Sequence, residues 1–233
     1  MKSILFDLYG TLVDIHTDED SISFWKEFNN YASIYKKYDH IFLKYKYKTY
    51  CLEEEEKLLK DNKHVEINIF DVFKRLYPSL NDVEIKKVTY KFREISRSYI
   101  KLYKGVKTLL KTLKKQGYYL YILSNAQSLF TKEEIKLLNI EKFFDGIMLS
   151  SDYKIKKPNT LFFNIAIEKY SLNIEETIMI GNAYICDILP EKEVGLKKIY
   201  IQSNLTNENL NVEKIEGFKL SKILNKINNY FQQ

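Results

Sequence analysis

From about residue 18 to residue 103 the chain has no glycine and a single proline, Pro78. That stretch constrains the fold more than any other feature. Without breakers it is free to form helices, and its apolar residues recur at helical spacing. Examples are Ile22, Trp25, Phe28 and Ala32, then Ile69, Val72, Phe73 and Leu76. We read three or four helices there and no strands. Asn81-Asp82-Val83-Glu84 has the form of a helix start, with Asn or Asp capping free amides.

The flanking sequence has a different rhythm. Ile4-Leu5-Phe6 is a short apolar run ending at Asp7, which suits a strand buried on both faces. After Gly105 the chain alternates. Helices are expected at 106–115, 132–138, 161–169, 191–194 and 220–227, with Gly117 stopping the first. Strands are expected at 118–123, 146–149, 177–180 and 198–201. Alternating strands and helices imply βαβ units and a parallel sheet. The expected architecture is therefore an α/β core of residues 1–14 and 104–233, with an all-helical segment, 15–103, inserted after the first strand. In open sheets of this kind, ligands bind beyond the carboxyl ends of the strands. Asp7, Ser124 and Asn182 each follow an apolar strand there.

Composition excludes several classes. The 233 residues suffice for a sizeable core without disulfides. The net charge of +6 comes from lysines spread along the whole chain, with no basic tail or RNA-binding motif. Nucleic acid is not the expected partner; a small anionic substrate is compatible. Cys51 and Cys186 lie far apart in no metal-ligand spacing and read as free thiols. The first residues reach a charge too soon for a signal peptide, and no apolar run is long enough to span a bilayer. A cytoplasmic monomer or homodimer is expected.

Four short signals occur in order: Asp7-Leu8-Tyr9-Gly10-Thr11-Leu12-Val13-Asp14; Leu123-Ser124-Asn125; Lys156-Lys157-Pro158; and Gly181-Asn182 with Asp187. Each alone is weak. Asp7 could simply cap a turn, Ser124-Asn125 is a common turn, Lys157 has neighbours Lys154 and Lys156, and Asp187 could begin a helix. Together they resemble the four-motif signature of the haloacid dehalogenase superfamily over nearly the whole chain. The resemblance implies a Rossmann-like core with a helical cap. Asp7 would be the nucleophile, since a positioned carboxylate can form an acyl-phosphate or ester. Ser124 would donate to the transferred group, and Lys157 would neutralise it beside the carboxylate. Mg²⁺ would be held by Asp7, the backbone carbonyl at Tyr9 and Asp187. Thr11, Asn125 and Tyr9 would face the substrate.

Two positions depart from the phosphatase pattern. The acid usually found two residues after the nucleophile is Tyr9, and the motif-four acid is replaced at Asn182 or Ala183, depending on register. A tyrosine and an asparagine at these places resemble the haloacid dehalogenases, whose halide leaves without protonation or metal. That rival needs an arginine from the first half of the cap, and the arginines are Arg75, Arg93 and Arg97. A third alternative is a member that binds a ligand or partner without turnover. A closer resemblance is to a phosphatase-like branch sharing the phrase from Asp7 to Asp18, Leu123 to Gln127, and Phe92-Arg93…Ser96…Tyr99-Ile100…Leu102-Tyr103. In that branch motif four reads Gly-Asn-Asp, which makes Ala183 the lost acid.

Other polar residues are read as structural. His16, Thr17 and Asp18 form a hinge with a capped helix start. His40 and His64 are surface residues, and Glu53 to Glu56 are a solvated face. Tyr31, Tyr35, Tyr38 and Tyr45 are packing residues of the inserted helices. Arg93 and Arg97 either bind a substrate anion or pair with glutamates of the insertion.

Overall fold

A computed structural model describes residues 1–59, 63–208 and 210–232. Strand β1 (Ser3–Phe6) lies at the centre of the main sheet. Every residue in it is fully buried, because Ile4 and Phe6 face one apolar layer and Leu5 the other. The further strands are β4 (Tyr119–Ser124), β5 (Gly146–Leu149), β6 (Thr177–Gly181), β7 (Lys197–Gln202) and β8 (Ile215–Glu216). The order is β5-β4-β1-β6-β7-β8, and every pairing is parallel. Helix α5 (Val106–Lys115) and the terminal helix α10 (Leu220–Gln232) contribute Leu109, Leu113, Ile223 and Ile227 to the layer of Ile4 and Phe6. Helix α8 (Thr160–Lys169) covers the opposite face with Phe162, Phe163 and Ala166.

The strands expected from sequence fall within one residue of those observed; β8 was missed, since two residues show no periodicity. The helix expected at 132–138 begins earlier, as α6 (Ser128–Leu137).

The breaker-free stretch forms four helices among the described residues: α1 (Ile22–Ala32), α2 (His40–Leu59), α3 (Ile69–Leu76) and α4 (Asp82–Ser96). Asn81 caps α4 with a complete capping box, its side chain accepting from the Val83 and Glu84 amides while Glu84 returns to the Asn81 amide. These helices have an aromatic core of their own. Phe92 meets Phe24, Phe28 and Phe73 edge-on, with ring centroids 4.9–5.2 Å apart. Phe130 of α6 joins this cluster, so the inserted helices are packed onto the α/β layer. Tyr31, Tyr35 and Tyr38 pack against the cluster as expected, whereas Tyr45 is exposed.

The expectation of no strands in the stretch fails at its end. Arg97–Leu102 is a strand, β3, antiparallel to β2 (Val13–Thr17). Ile100 and Leu102 turn toward the core while Tyr99 and Lys101 stay exposed, a period of two that the preceding helix obscured. The expected boundary at residue 14 falls inside this ribbon.

Candidate active site

Parallel pairing sets β1, β4 and β6 side by side, with Phe6 level with Ile122 and Ile180. The residues just past those strand ends therefore meet. Asp7 donates its amide to the Ile180 carbonyl, 2.9 Å away. Its carboxylate is 7% exposed and held on both oxygens. Oδ1 accepts from Ser124 Oγ and Lys157 Nζ, each at 2.9 Å, and Oδ2 accepts from Thr11 Oγ1 at 3.1 Å.

Lys157 is 1% exposed. Its ammonium donates to Asp7 Oδ1, to Asp187 Oδ1 at 2.6 Å and to the Leu123 carbonyl at 2.8 Å, so all three protons are used. Burial by itself would lower its pKa, but Asp187 and Asp7 outweigh that and hold it above the ordinary lysine value. Asp187 is pushed up to about 6, chiefly by burial, with Lys157 opposing. Its Oδ2 accepts from the Ala183 amide at 2.9 Å. Both Asp187 oxygens are thus engaged, by the Lys157 ammonium and the Ala183 amide. Gly181 is required here: a Cβ would lie 2.3 Å from the Asp187 carboxylate.

Asn182, not Ala183, faces the nucleophile. One terminal atom of its amide lies 2.9 Å from the Tyr9 carbonyl oxygen, 3.2 Å from Asp7 Oδ2 and 3.1 Å from Thr11 Oγ1. Hydrogen bonding favours nitrogen at that point, since its two protons can serve the Tyr9 and Thr11 oxygens and leave the Thr11 proton for Asp7. Gly10, at φ +85°, is needed because a Cβ there would strike the Asn182 amide at 2.3 Å.

The donor chemistry bears on a metal. No cluster of three His, Cys, Asp or Glu residues suits a cation among the described residues. Turned by half a rotation, however, the Asn182 amide oxygen would stand 2.9 and 3.2 Å from two further oxygens, those of Tyr9 and Asp7. Neighbouring ligands of octahedral Mg²⁺, with bonds of about 2.1 Å, lie about 3 Å apart. The set fits Mg²⁺ with a single anionic ligand.

Of the remaining expected site residues, Tyr9 and Asn125 border the cavity described below and Thr11 does not. Thr11 is fully buried and addresses Asp7 and Asn182, leaving it no surface for substrate. Asn125 grips the main chain of Lys157 in both directions: its Nδ2 donates to the Lys157 carbonyl and its Oδ1 accepts the Lys157 amide, each at 2.8 Å. The Tyr9 hydroxyl turns away and donates to Glu134, with Thr131 Oγ1 at 3.0 Å. Burial, then Glu134, hold its pKa above the ordinary phenol value. Short polar side chains past a strand end read alike in sequence, whether they meet substrate or hold their neighbours.

Glu134 was not anticipated, because Lys132-Glu133-Glu134 resembles a solvated helix face. It is 3% exposed and accepts from Arg93 Nε and Arg97 Nη1, each at 2.8 Å. The two arginines therefore pair with a glutamate of α6, not with one of the inserted helices and not with open space. Arg75 pairs with Glu53 and Glu54, so that acidic run is only partly a solvated face. His16 sits on the ribbon, Nδ1 3.0 Å from Ser98 Oγ, and Asp18 caps the turn before α1.

Between the inserted helices and the strand ends lies a cavity of about 410 Å³. Tyr9, Asn125 and Gln127 line it from the sheet side, and Glu19, Tyr47 and Glu66 from the insertion. Gln127 joins the two sides, donating to Glu66 Oε1 and the Ile67 carbonyl and accepting from the Ile69 amide.

Comparison with known proteins agrees with this geometry. The family model described as haloacid dehalogenase-like hydrolase matches residues 4–201, and the chain belongs to that family. It is 28% identical over 172 residues to a glyceraldehyde 3-phosphate phosphatase of Methanothermobacter thermautotrophicus, covering 70% of this chain and 74% of that protein. The like-named protein of Pyrococcus furiosus is 30% identical over 105 residues, 45% of this chain and 44% of its own length. The crystal structure of a 2-haloacid dehalogenase from Pseudomonas syringae pv. Tomato DC3000 superposes with a TM-score of 0.65 at 16% identity, covering 99% of each chain. At that identity the likeness shows the fold alone.

Proposed function

We propose that the protein hydrolyses a small phosphomonoester through an aspartyl-phosphate on Asp7. The carrying observation is the Asp7 carboxylate clasped by Ser124 and Lys157 at the strand ends. A carboxylate oxygen attacks phosphorus, the ester oxygen departs with the bonding electrons, and water then cleaves the acyl-phosphate. Ser124 and Lys157 turn their protons toward the phosphoryl oxygens as charge shifts there. Asp187 and Asn125 keep Lys157 in place from the side chain and the main chain. The names of the phosphatases above support this reading. The dehalogenase alternative needs a free guanidinium for the substrate carboxylate, yet each of the three arginines is already on a glutamate.

Mg²⁺ would be held by Asp7, the Tyr9 carbonyl and the Asn182 amide oxygen, and would draw charge from the transferred phosphoryl group. With one carboxylate it binds weakly. Asn182→Asp is expected to tighten Mg²⁺ at least about tenfold, or about 1.4 kcal/mol, less the repulsion from Asp7. Calorimetry reads this directly; unchanged affinity would remove Asn182 from the ligand set.

Tyr9 supplies no proton to the leaving oxygen, because its hydroxyl is committed to Glu134. Aryl phosphates, whose leaving groups need no proton, are expected to react faster than alkyl ones. The acid limb should come from Asp187. Below about pH 6 it takes up a proton and loosens its hold on Lys157, so kcat/KM falls. A pH profile of Asp187→Asn should lack that limb; an identical limb would assign it elsewhere. The free Cys51 and Cys186 suit a reducing cytoplasm, and no helix among the described residues is long and apolar enough to cross a membrane.

A further inference from the structure

The cavity between the inserted helices and the strand ends has an unusual charge for a space beside a phosphate site. Its charged lining residues, among the described ones, are Glu19, Glu66 and Arg93. Arg93 is not free: its Nε and Nη2 lie 2.8 and 3.3 Å from Glu134, which also holds Arg97. Neither carboxylate makes such an ion pair among the described residues, although Arg93 attracts Glu19 and Lys156 attracts Glu66 from farther off. Among the described residues, the donors to Glu66 are neutral, Gln127 Nε2 at 3.0 Å and Ser150 Oγ at 2.9 Å. The Glu19 carboxylate accepts from the Tyr47 hydroxyl, at 3.4 Å. Nearby lysines are drawn outward: Lys48 lies 2.6 Å from exposed Asp20, and Lys156 lies 3.8 Å from Glu55.

Tyr9, two residues past Asp7, and Asn125, next to Ser124, border this space, so a phosphoryl group at Asp7 would turn the rest of its ester toward it. Burial raises the pKa of both Glu19 and Glu66, which is the mark of carboxylates without full compensation. A second anionic group on the substrate would meet both of them, and the one described cation on the cavity wall, Arg93, is already on Glu134. A protonated amine would meet an acceptor on the insertion, Tyr47 beside it, and a second acceptor near the sheet.

We propose that the cavity selects phosphomonoesters whose alcohol part carries a protonated amine, held by Glu19 and Glu66, and rejects those carrying a carboxylate or second phosphate. This rests on the phosphatase reading for the position of the phosphoryl group.

Two phosphonates of similar length test it without requiring turnover. By calorimetry in Mg²⁺ buffer, 2-aminoethylphosphonate is expected to bind at least about tenfold tighter than phosphonoacetate. In Glu19→Gln that ratio should fall to about threefold or less. The substitution removes the charge and keeps the shape, and thermal melting verifies folding. Glu66→Gln gives a second measurement with the same expected direction. Equal or tighter binding of phosphonoacetate, no binding of either compound, or an undiminished ratio in folded variants would overturn the proposal. Hydrolysis of 4-nitrophenyl phosphate, compared with Asp7→Asn, tests the reaction separately. A protein that fails there but keeps the amine preference loses the phosphatase reading and retains the cavity assignment.

Discussion

Asp7→Asn is expected to reduce hydrolysis of 4-nitrophenyl phosphate by about three orders of magnitude or more, to the level of a chain without the nucleophile. The amide cannot form the acyl-phosphate, and its nitrogen no longer accepts from the two donors now on Oδ1. The fold should survive, for a reason specific to this site. Lys157 stands between two carboxylates, so removing the charge of Asp7 leaves a one-to-one pair with Asp187 at 2.6 Å. Melting close to that of the parent chain should accompany the lost turnover. A trapped phosphate on Asp7, captured by rapid acid quench in the parent and absent in the variant, would complete the assignment. Undiminished turnover in Asp7→Asn would dismiss the covalent mechanism.

Lys157→Met is expected to cost stability as well as activity. The ammonium is buried, and its loss leaves Asp7 and Asp187 facing one another without a cation. Breaking a buried ion pair from one side typically costs about 3–5 kcal/mol. For a chain of this size that is a fall in Tm on the order of 10 °C. The sign of the pH dependence follows from burial. Asp187 already has a raised folded pKa, and loss of Lys157 raises it further. A carboxyl whose folded pKa lies above its unfolded value stabilises the fold while protonated and loses that contribution as pH rises. The deficit of Lys157→Met should therefore be largest at neutral pH and shrink toward pH 5. Adding Asp187→Asn should restore much of the stability and none of the activity. A Tm deficit independent of pH would mean that packing of the lysine stem, not charge, is what was lost.

Much of the fold was legible because its determinants are local. An apolar run ending in Asp7 must be buried on both faces, and alternating helices and strands leave few alternatives to a parallel sheet. Asn81 and Glu84 specify a helix start through bonds only three residues apart. Strand β3 was not legible, since Arg97–Leu102 follows α4 without a breaker and pairs with β2 some eighty residues away. Glu134 was not legible either. Its burial depends on Tyr9, Arg93 and Arg97 arriving from three other elements.

The sequence by itself determined the helical stretch, the parallel core and the place of Asp7, Ser124 and Asn182 at one edge; Lys157 and Asp187 were expected there only from the resemblance. Parallel strands suffice for the first three, because a residue directly following a buried strand has only one end of the sheet to occupy. Only the tertiary structure decided what each neighbour does. It placed Asn182 rather than Ala183 against the nucleophile, turned Asn125 onto the lysine main chain, and drew the Tyr9 hydroxyl out of reach of a leaving group. Those outcomes depend on the directions of side chains brought together from 32 residues of separation, for Asn125 and Lys157, to more than a hundred, for Tyr9 and Glu134. Hydrogen-bond partners, and so the chemistry a side chain can perform, are fixed by that convergence and not by the residue's type.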